Sequence, residues 1–156
     1  MAEMHHTHHS HADGRGHTTL GSSALATLHC LLGCVIGEVA GLAIGTSLGI
    51  GVFWTIVLAV TLAYITGFAF AVFPLMKRES LSFRQAMSVI WLGEAISIGV
   101  MEIAMNGVDY AVGGMTAGSV FAPMFWVGIA AAVPAGFLAA WPVNYYLLKR
   151  QLKRCH

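Results

Sequence analysis

Four apolar stretches, at about residues 23–45, 52–76, 83–105 and 119–148, take up most of this chain of 156 residues, and its charged side chains are swept almost entirely to their ends. A helix of about 20 apolar residues crosses the roughly 30 Å hydrocarbon layer of a bilayer, so each stretch is long enough to span it. Lipid offers no partner to an exposed backbone N–H or C=O, which makes helices the natural conformation for such runs. The pattern predicts an all-α, polytopic membrane protein: a four-helix transmembrane bundle over residues 24–150, with the lipid bilayer as its surroundings.

Composition narrows the function classes. The chain is 57% hydrophobic and only 10% charged, and eight Lys and Arg against seven Asp and Glu leave a formal charge of +1, too balanced for a nucleic-acid partner or a strongly basic surface module. Cys30 and Cys34 fall inside the first apolar run and Cys155 near the C-terminus, so the three Cys are no secreted disulfide framework and read as thiols, free or metal-bound. Leu31-Leu32-Gly33-Cys34 has the outline of a lipoprotein cleavage site, yet the apolar run continues through Val35-Ile36 and reads as a retained span.

The basic residues give an orientation. Apart from Arg15, every Lys and Arg lies in the 77–84 loop or in the tail from Lys149 to Arg154, and the positive-inside bias puts both clusters in the cytoplasm. Four spans then place both termini there. Residues 1–23 are polar and His-rich, a composition that cannot build a core and is expected to be disordered. Residues 106–118, beginning Asn106-Gly107-Val108-Asp109-Tyr110, read as an exposed loop, and Pro123, Pro134 and Pro142 imply kinks or a broken start in the last span.

Ionisable groups at membrane depth are expensive and therefore point to function. In the first span His29, Cys30, Cys34 and Glu38 stand at helical spacing; steps of four residues drift only about 80 degrees over Cys30, Cys34 and Glu38, so these three share a stripe. Thiolate, imidazole and carboxylate together suit a soft or borderline ion, copper first and zinc second. The third span adds Glu94 and Glu102, with Met101 and Met105 one turn apart as thioether ligands for Cu(I). Packing is the plainer role of each Cys and Met. The carboxylates have no such role, and no Lys or Arg lies at membrane depth, Arg84 standing at the loop end of the third stretch, so a cation or a proton is their natural counter-ion.

Two further motifs complete the reading. Gly33, Gly37, Gly41 and Gly45 recur every four residues as a ridge that lets another helix approach closely, from this chain or from a second copy in a homo-oligomer. His5, His6, His8, His9 and His11, with Cys155 and His156 at the other end, form accessory metal-gathering segments on the predicted cytoplasmic side.

The block His29-Cys30-Leu31-Leu32-Gly33-Cys34-Val35-Ile36-Gly37-Glu38, followed by Trp141-Pro142-Val143-Asn144-Tyr145-Tyr146, resembles a family of small bacterial four-span membrane proteins known only as a domain of unknown function. That resemblance covers about residues 24–150; it implies the fold and, for a multi-pass protein, the bacterial inner membrane, but no activity. A looser similarity, read as shared ligand chemistry, is to the trimeric copper importers, with Met101 and Met105, the glycine ridge and Cys155-His156 in the corresponding roles. The resulting expectation is a membrane protein that is not an enzyme but binds and transports copper or zinc. Its rivals are a proton-linked carrier or channel for another small solute, a structural or assembly subunit, and a thiol-redox enzyme. The last is disfavoured because thiols four residues apart on a helix are poorly placed for a disulfide.

Overall fold

The computed structural model describes residues 20–150, in which α1 (Leu20–Leu48), α2 (Val52–Glu79), α3 (Phe83–Val112) and α4 (Pro123–Lys149) follow one another. At about 1.5 Å of rise per residue these helices are roughly 40–45 Å long, and all four are long and apolar enough to cross a membrane. Consecutive helices pack side by side and α4 closes against α1, while α1 and α3 meet only weakly across the middle. The result is the expected up-down four-helix bundle. Its outer surface carries large exposed apolar side chains such as Phe53, Ile65, Ile103 and Leu138, suited to acyl chains rather than water. His5, His6, His8, His9, His11, Cys155 and His156 lie outside the described residues.

The glycine ridge is used within the chain. A Cβ at Gly33 would lie 3.1 Å from the Gly67 Cα, one at Gly41 2.6 Å from the Ala59 nitrogen, and one at Gly45 2.5 Å from Thr55 Oγ1; one at Gly37 would run into the Leu62 carbonyl. Only hydrogen at these positions allows α1 and α2 to approach so closely. Thr66 adds a polar tie at the same seam, its hydroxyl shared between the Gly33 carbonyl at 2.7 Å and the Leu62 carbonyl of its own helix at 2.8 Å. The ridge therefore serves α2 and presents no bare face to a second copy.

Helix ends follow local chemistry. Ser82 caps α3 with Gln85, whose Oε1 accepts from the Ser82 backbone N–H at 3.0 Å. The helix then runs seven residues beyond the expected 105, through the segment read as loop, and stops where Gly113 takes φ 93° and donates to the Asp109 and Tyr110 carbonyls, both at 3.1 Å. Gly107 did not end it, because Asn106 bonds back to the Glu102 carbonyl at 2.9 Å and keeps that turn helical. Pro123 opens α4 at its first turn, where a missing N–H is harmless, and the helix continues through Pro134 and Pro142.

Pro74, inside α2, has a consequence on α1. Without an N–H it leaves the carbonyl of Phe70, four residues back, with no helical donor. His29 supplies one: its Nε2 donates to the Phe70 oxygen at 3.1 Å, and its ring lies 5.9 Å from the Phe70 ring.

Candidate functional site

The polar side chains of the interior fall into four levels along the bundle. Nearest the 77–84 loop, Asn144 of α4, fully buried, donates from Nδ2 to Thr27 Oγ1 at 2.9 Å, and Thr27 in turn donates to the Ser23 carbonyl at 2.8 Å. Trp141 Nε1 donates to Ser23 Oγ at 3.0 Å, so α4 is stitched to α1 by side chains that the sequence reading left without a role. An Asn inside an apolar run was the available signal, since buried polar groups require partners.

At the next level, Cys30 and Glu94 meet. The Cys30 thiol donates to Glu94 Oε2 at 3.7 Å and lies 4.0 Å from Ser97 Oγ, while Cys34 Sγ shares a hydrogen bond with Cys30 and sits beside Gly67. Both cysteines are buried and neither forms a disulfide. The structure thus brings Cys30 and Cys34 together with Glu94 of α3, rather than with Glu38 of their own helix. His29 does not join them, being half-buried and committed through Nε2 to the Phe70 carbonyl.

The third level separates oxygen from sulfur. Glu38 stands about 12 Å along the axis from Cys30, eight residues at the helical rise, and is within electrostatic reach of Glu102 on α3. Asn106 donates from Nδ2 to Glu102 Oε2 at 3.1 Å. Oε1 of Glu38, Oε1 of Glu102 and Oδ1 of Asn106 are buried and have no hydrogen-bond donor among the described residues. Met101 and Met105, by contrast, turn toward α4: a Cβ on Gly136 would lie 2.7 Å from Met105 Sδ and 3.2 Å from Met101 Cγ. The two thioethers fill the α3–α4 seam, in one apolar cluster with Cys30, Cys34 and Ile98, and do not share a pocket with Glu102.

The fourth level is Asp109, which lay in the presumed loop and was not singled out. It is 1% exposed, and its Oδ1 occupies the space where side chains would project from Gly114 and Gly128. Those two glycines make room for a carboxyl near the end of the bundle away from the basic loops. Glu94, Glu102 and Asp109 therefore form a column along one face of α3, about 22 Å long at the helical rise, with Glu38 beside it on α1.

Chemically, this arrangement offers buried carboxyl oxygens in sequence, with thiol sulfur beside them at one level only. Among the described residues no three His, Cys, Asp or Glu side chains gather closely enough to hold a metal ion.

Residues 21–153 match the family described as Domain of unknown function (DUF4396). No curated protein and no solved structure matches the chain, and the likeness to the trimeric copper importers gains no support.

Proposed function

The chain belongs to that family of unknown function, and from its buried acids we propose that it is a multi-pass carrier or channel through which a cation, a proton or a metal ion, passes along the acidic column. The observation that supports this reading is that Glu38, Glu94, Glu102 and Asp109 are each no more than 3% exposed in a bundle whose apolar stretches contain no Lys or Arg beyond Arg84 at the very start of the third. Carboxyls at that depth are neutralised by a proton or by a cationic guest. The basic 77–84 loop and C-terminal tail orient the bundle with both termini in the cytoplasm of a bacterial inner membrane. Nothing in this role requires bond-making chemistry.

The contact of Cys30 with Glu94, with Cys34 adjacent, favours a second reading in which the guest is copper or zinc. In that case the inner level supplies the first ligands, and donors from the His-rich segment or from a second copy complete the site.

Proteoliposomes under an imposed potassium diffusion potential test both. Proton, sodium, potassium, copper and zinc uptake are followed for the wild type, Glu94→Gln, Glu102→Gln, Cys30→Ser/Cys34→Ser, and Glu79→Gln as an exposed control. The proposal expects flux of at least one of these ions above empty vesicles, reduced at least about tenfold in the two Glu variants and unchanged in the control. Loss of copper or zinc flux in the double Ser variant supports the second reading. Flux indistinguishable from empty vesicles for every ion, or indifferent to both Glu variants, overturns the column as a path.

A further inference from the structure

The α2–α3 seam is looser than the glycine-zipped α1–α2 seam, and a cavity of about 340 Å³ opens in it. Glu102 and Asn106 line this space, opposite Val60 and Tyr64 of α2, and Ile103, 78% exposed, stands on its rim. The cavity thus borders, as a window on the side of the bundle that faces the bilayer, two residues whose Oε1 and Oδ1 atoms are buried just behind its wall. The window is kept open by Gly99: a Cβ there would find only the Tyr64 hydroxyl, at 2.8 Å, and otherwise empty space. Tyr64 donates its own hydrogen to the Ala95 carbonyl at 3.1 Å, which leaves oxygen lone pairs on the lining.

The donor inventory at this cavity is unusual. Asn106 donates twice to Glu102, through Nδ2, while its Oδ1, on a residue only 8% exposed, has no donor among the described residues. Glu102 Oε1 is in the same condition, and so is Glu38 Oε1 on the neighbouring α1. Buried oxygens without donors carry a free-energy cost that an ion bound at the same place removes. All of these atoms are hard oxygens, while the soft sulfurs of Met101 and Met105 face α4 instead. Hard oxygen donors select alkali and alkaline-earth cations over copper. One carboxylate and one carboxamide at the cavity match a single positive charge, whereas calcium takes six to eight oxygens, several of them from carboxylates. The cavity has room for waters, each of about 30 Å³, to complete the coordination of such an ion.

We infer that Glu102 Oε1 and Asn106 Oδ1, assisted by Glu38, hold a hard monovalent cation of the sodium class that is reached laterally between α2 and α3. This rests on the reading of the acidic column as a cation path and names the cation class and the place where it pauses.

The test is radioactive sodium binding to the full chain in lipid nanodiscs, alongside the flux measurements above. Saturable sodium binding is expected, weakened at least about tenfold by Glu102→Gln and by Asn106→Leu, and within about twofold of wild type in Cys30→Ser/Cys34→Ser. Gly99→Leu plugs the window, displacing the Tyr64 hydroxyl but leaving Glu102, Asn106 and Glu38 unaltered; it is expected to slow sodium association while the protein remains monodisperse, which keeps the inference testable if Glu102→Gln fails to fold. Sodium binding that ignores Glu102, Asn106 and Gly99 overturns this site and leaves the column standing. Absence of sodium binding beside proton flux that needs Glu102 also overturns the site alone. Displacement of sodium by micromolar calcium overturns the monovalent assignment, and absence of both binding and flux removes the site together with the column.

Discussion

Replacing His29 by Ala, in the presence and in the absence of Pro74, separates a structural role for this imidazole from an ion-binding one. In the wild type, Pro74 withholds the N–H that would have bonded to the Phe70 carbonyl, and His29 Nε2 replaces it at 3.1 Å. Interhelical hydrogen bonds in membranes contribute about 0.6 kcal/mol on average and up to about 1.7, while a buried carbonyl left without a donor costs about 1–3 kcal/mol. With the ring half-buried, about 1 kcal/mol is expected for this bond, roughly a fivefold change in the unfolding equilibrium. In Pro74→Ala the restored N–H of residue 74 serves the Phe70 oxygen, and His29 becomes redundant as a donor. His29→Ala then loses only the ring contact with Phe70, whose centroid lies 5.9 Å away, and that loss is common to both backgrounds and cancels in the cycle. Unfolding measured in bicelles by steric trapping, or against detergent mole fraction by circular dichroism, should return a coupling of about 1 kcal/mol. A coupling below about 0.3 kcal/mol, within the scatter of independent sites, would refute the argument that the proline creates the need for the histidine.

Three further outcomes follow from the packing. Gly41→Leu pushes a side chain into the Ala59 backbone and should destabilise the bundle by about 1–3 kcal/mol or more, whereas Gly107→Ala, at an exposed position with nothing within 4 Å, should stabilise it by about 0.5–1 kcal/mol; the same unfolding assay in micelles distinguishes them, and equal effects would contradict the ridge. Asn144→Ala breaks the bond to Thr27 and should cost about 1–2 kcal/mol, with Thr27→Val adding little in that background; additive losses would show the two to be independent. In a Cys155→Ser variant, maleimide should modify Cys30 and Cys34, which are 5% and 0% exposed, at least about tenfold more slowly in the folded protein than in unfolding detergent, and equal rates would mean the thiols face an open path.

Much of the fold was legible because the bilayer enforces a simple pattern: runs of apolar residues ended by Lys77-Arg78-Glu79 or Lys149-Arg150 read directly as spans. The glycine ridge was visible too, though its partner was not, since spacing states that a helix approaches closely and not which helix it is. The far end of α3 reads as a loop because Asn106, Gly107 and Asp109 are turn formers locally; here the first bonds back to Glu102 one turn earlier in the same helix, and the last is buried against Gly114 and Gly128, the latter a tertiary contact with α4. Cys30 meets Glu94 of α3 and not Glu38, which lies eight residues along its own helix. The Met residues did not join the acids, because neighbours in sequence on a helix point about 100 degrees apart, so Met101 and Glu102 serve different seams. The His29 contact depended on a proline 45 positions away and left no local trace.

The close seam between α1 and α2 also bears on how the molecule is assembled. These two helices leave the ribosome before α3 and α4, joined by a three-residue link, and their seam is built from their own residues. Glu38, however, belongs to a layer whose other members arrive with α3. Until the second hairpin is inserted, the nascent first hairpin carries an acid meant for an interior that does not yet exist, which makes the interval between the two hairpins the vulnerable moment in this protein's biogenesis.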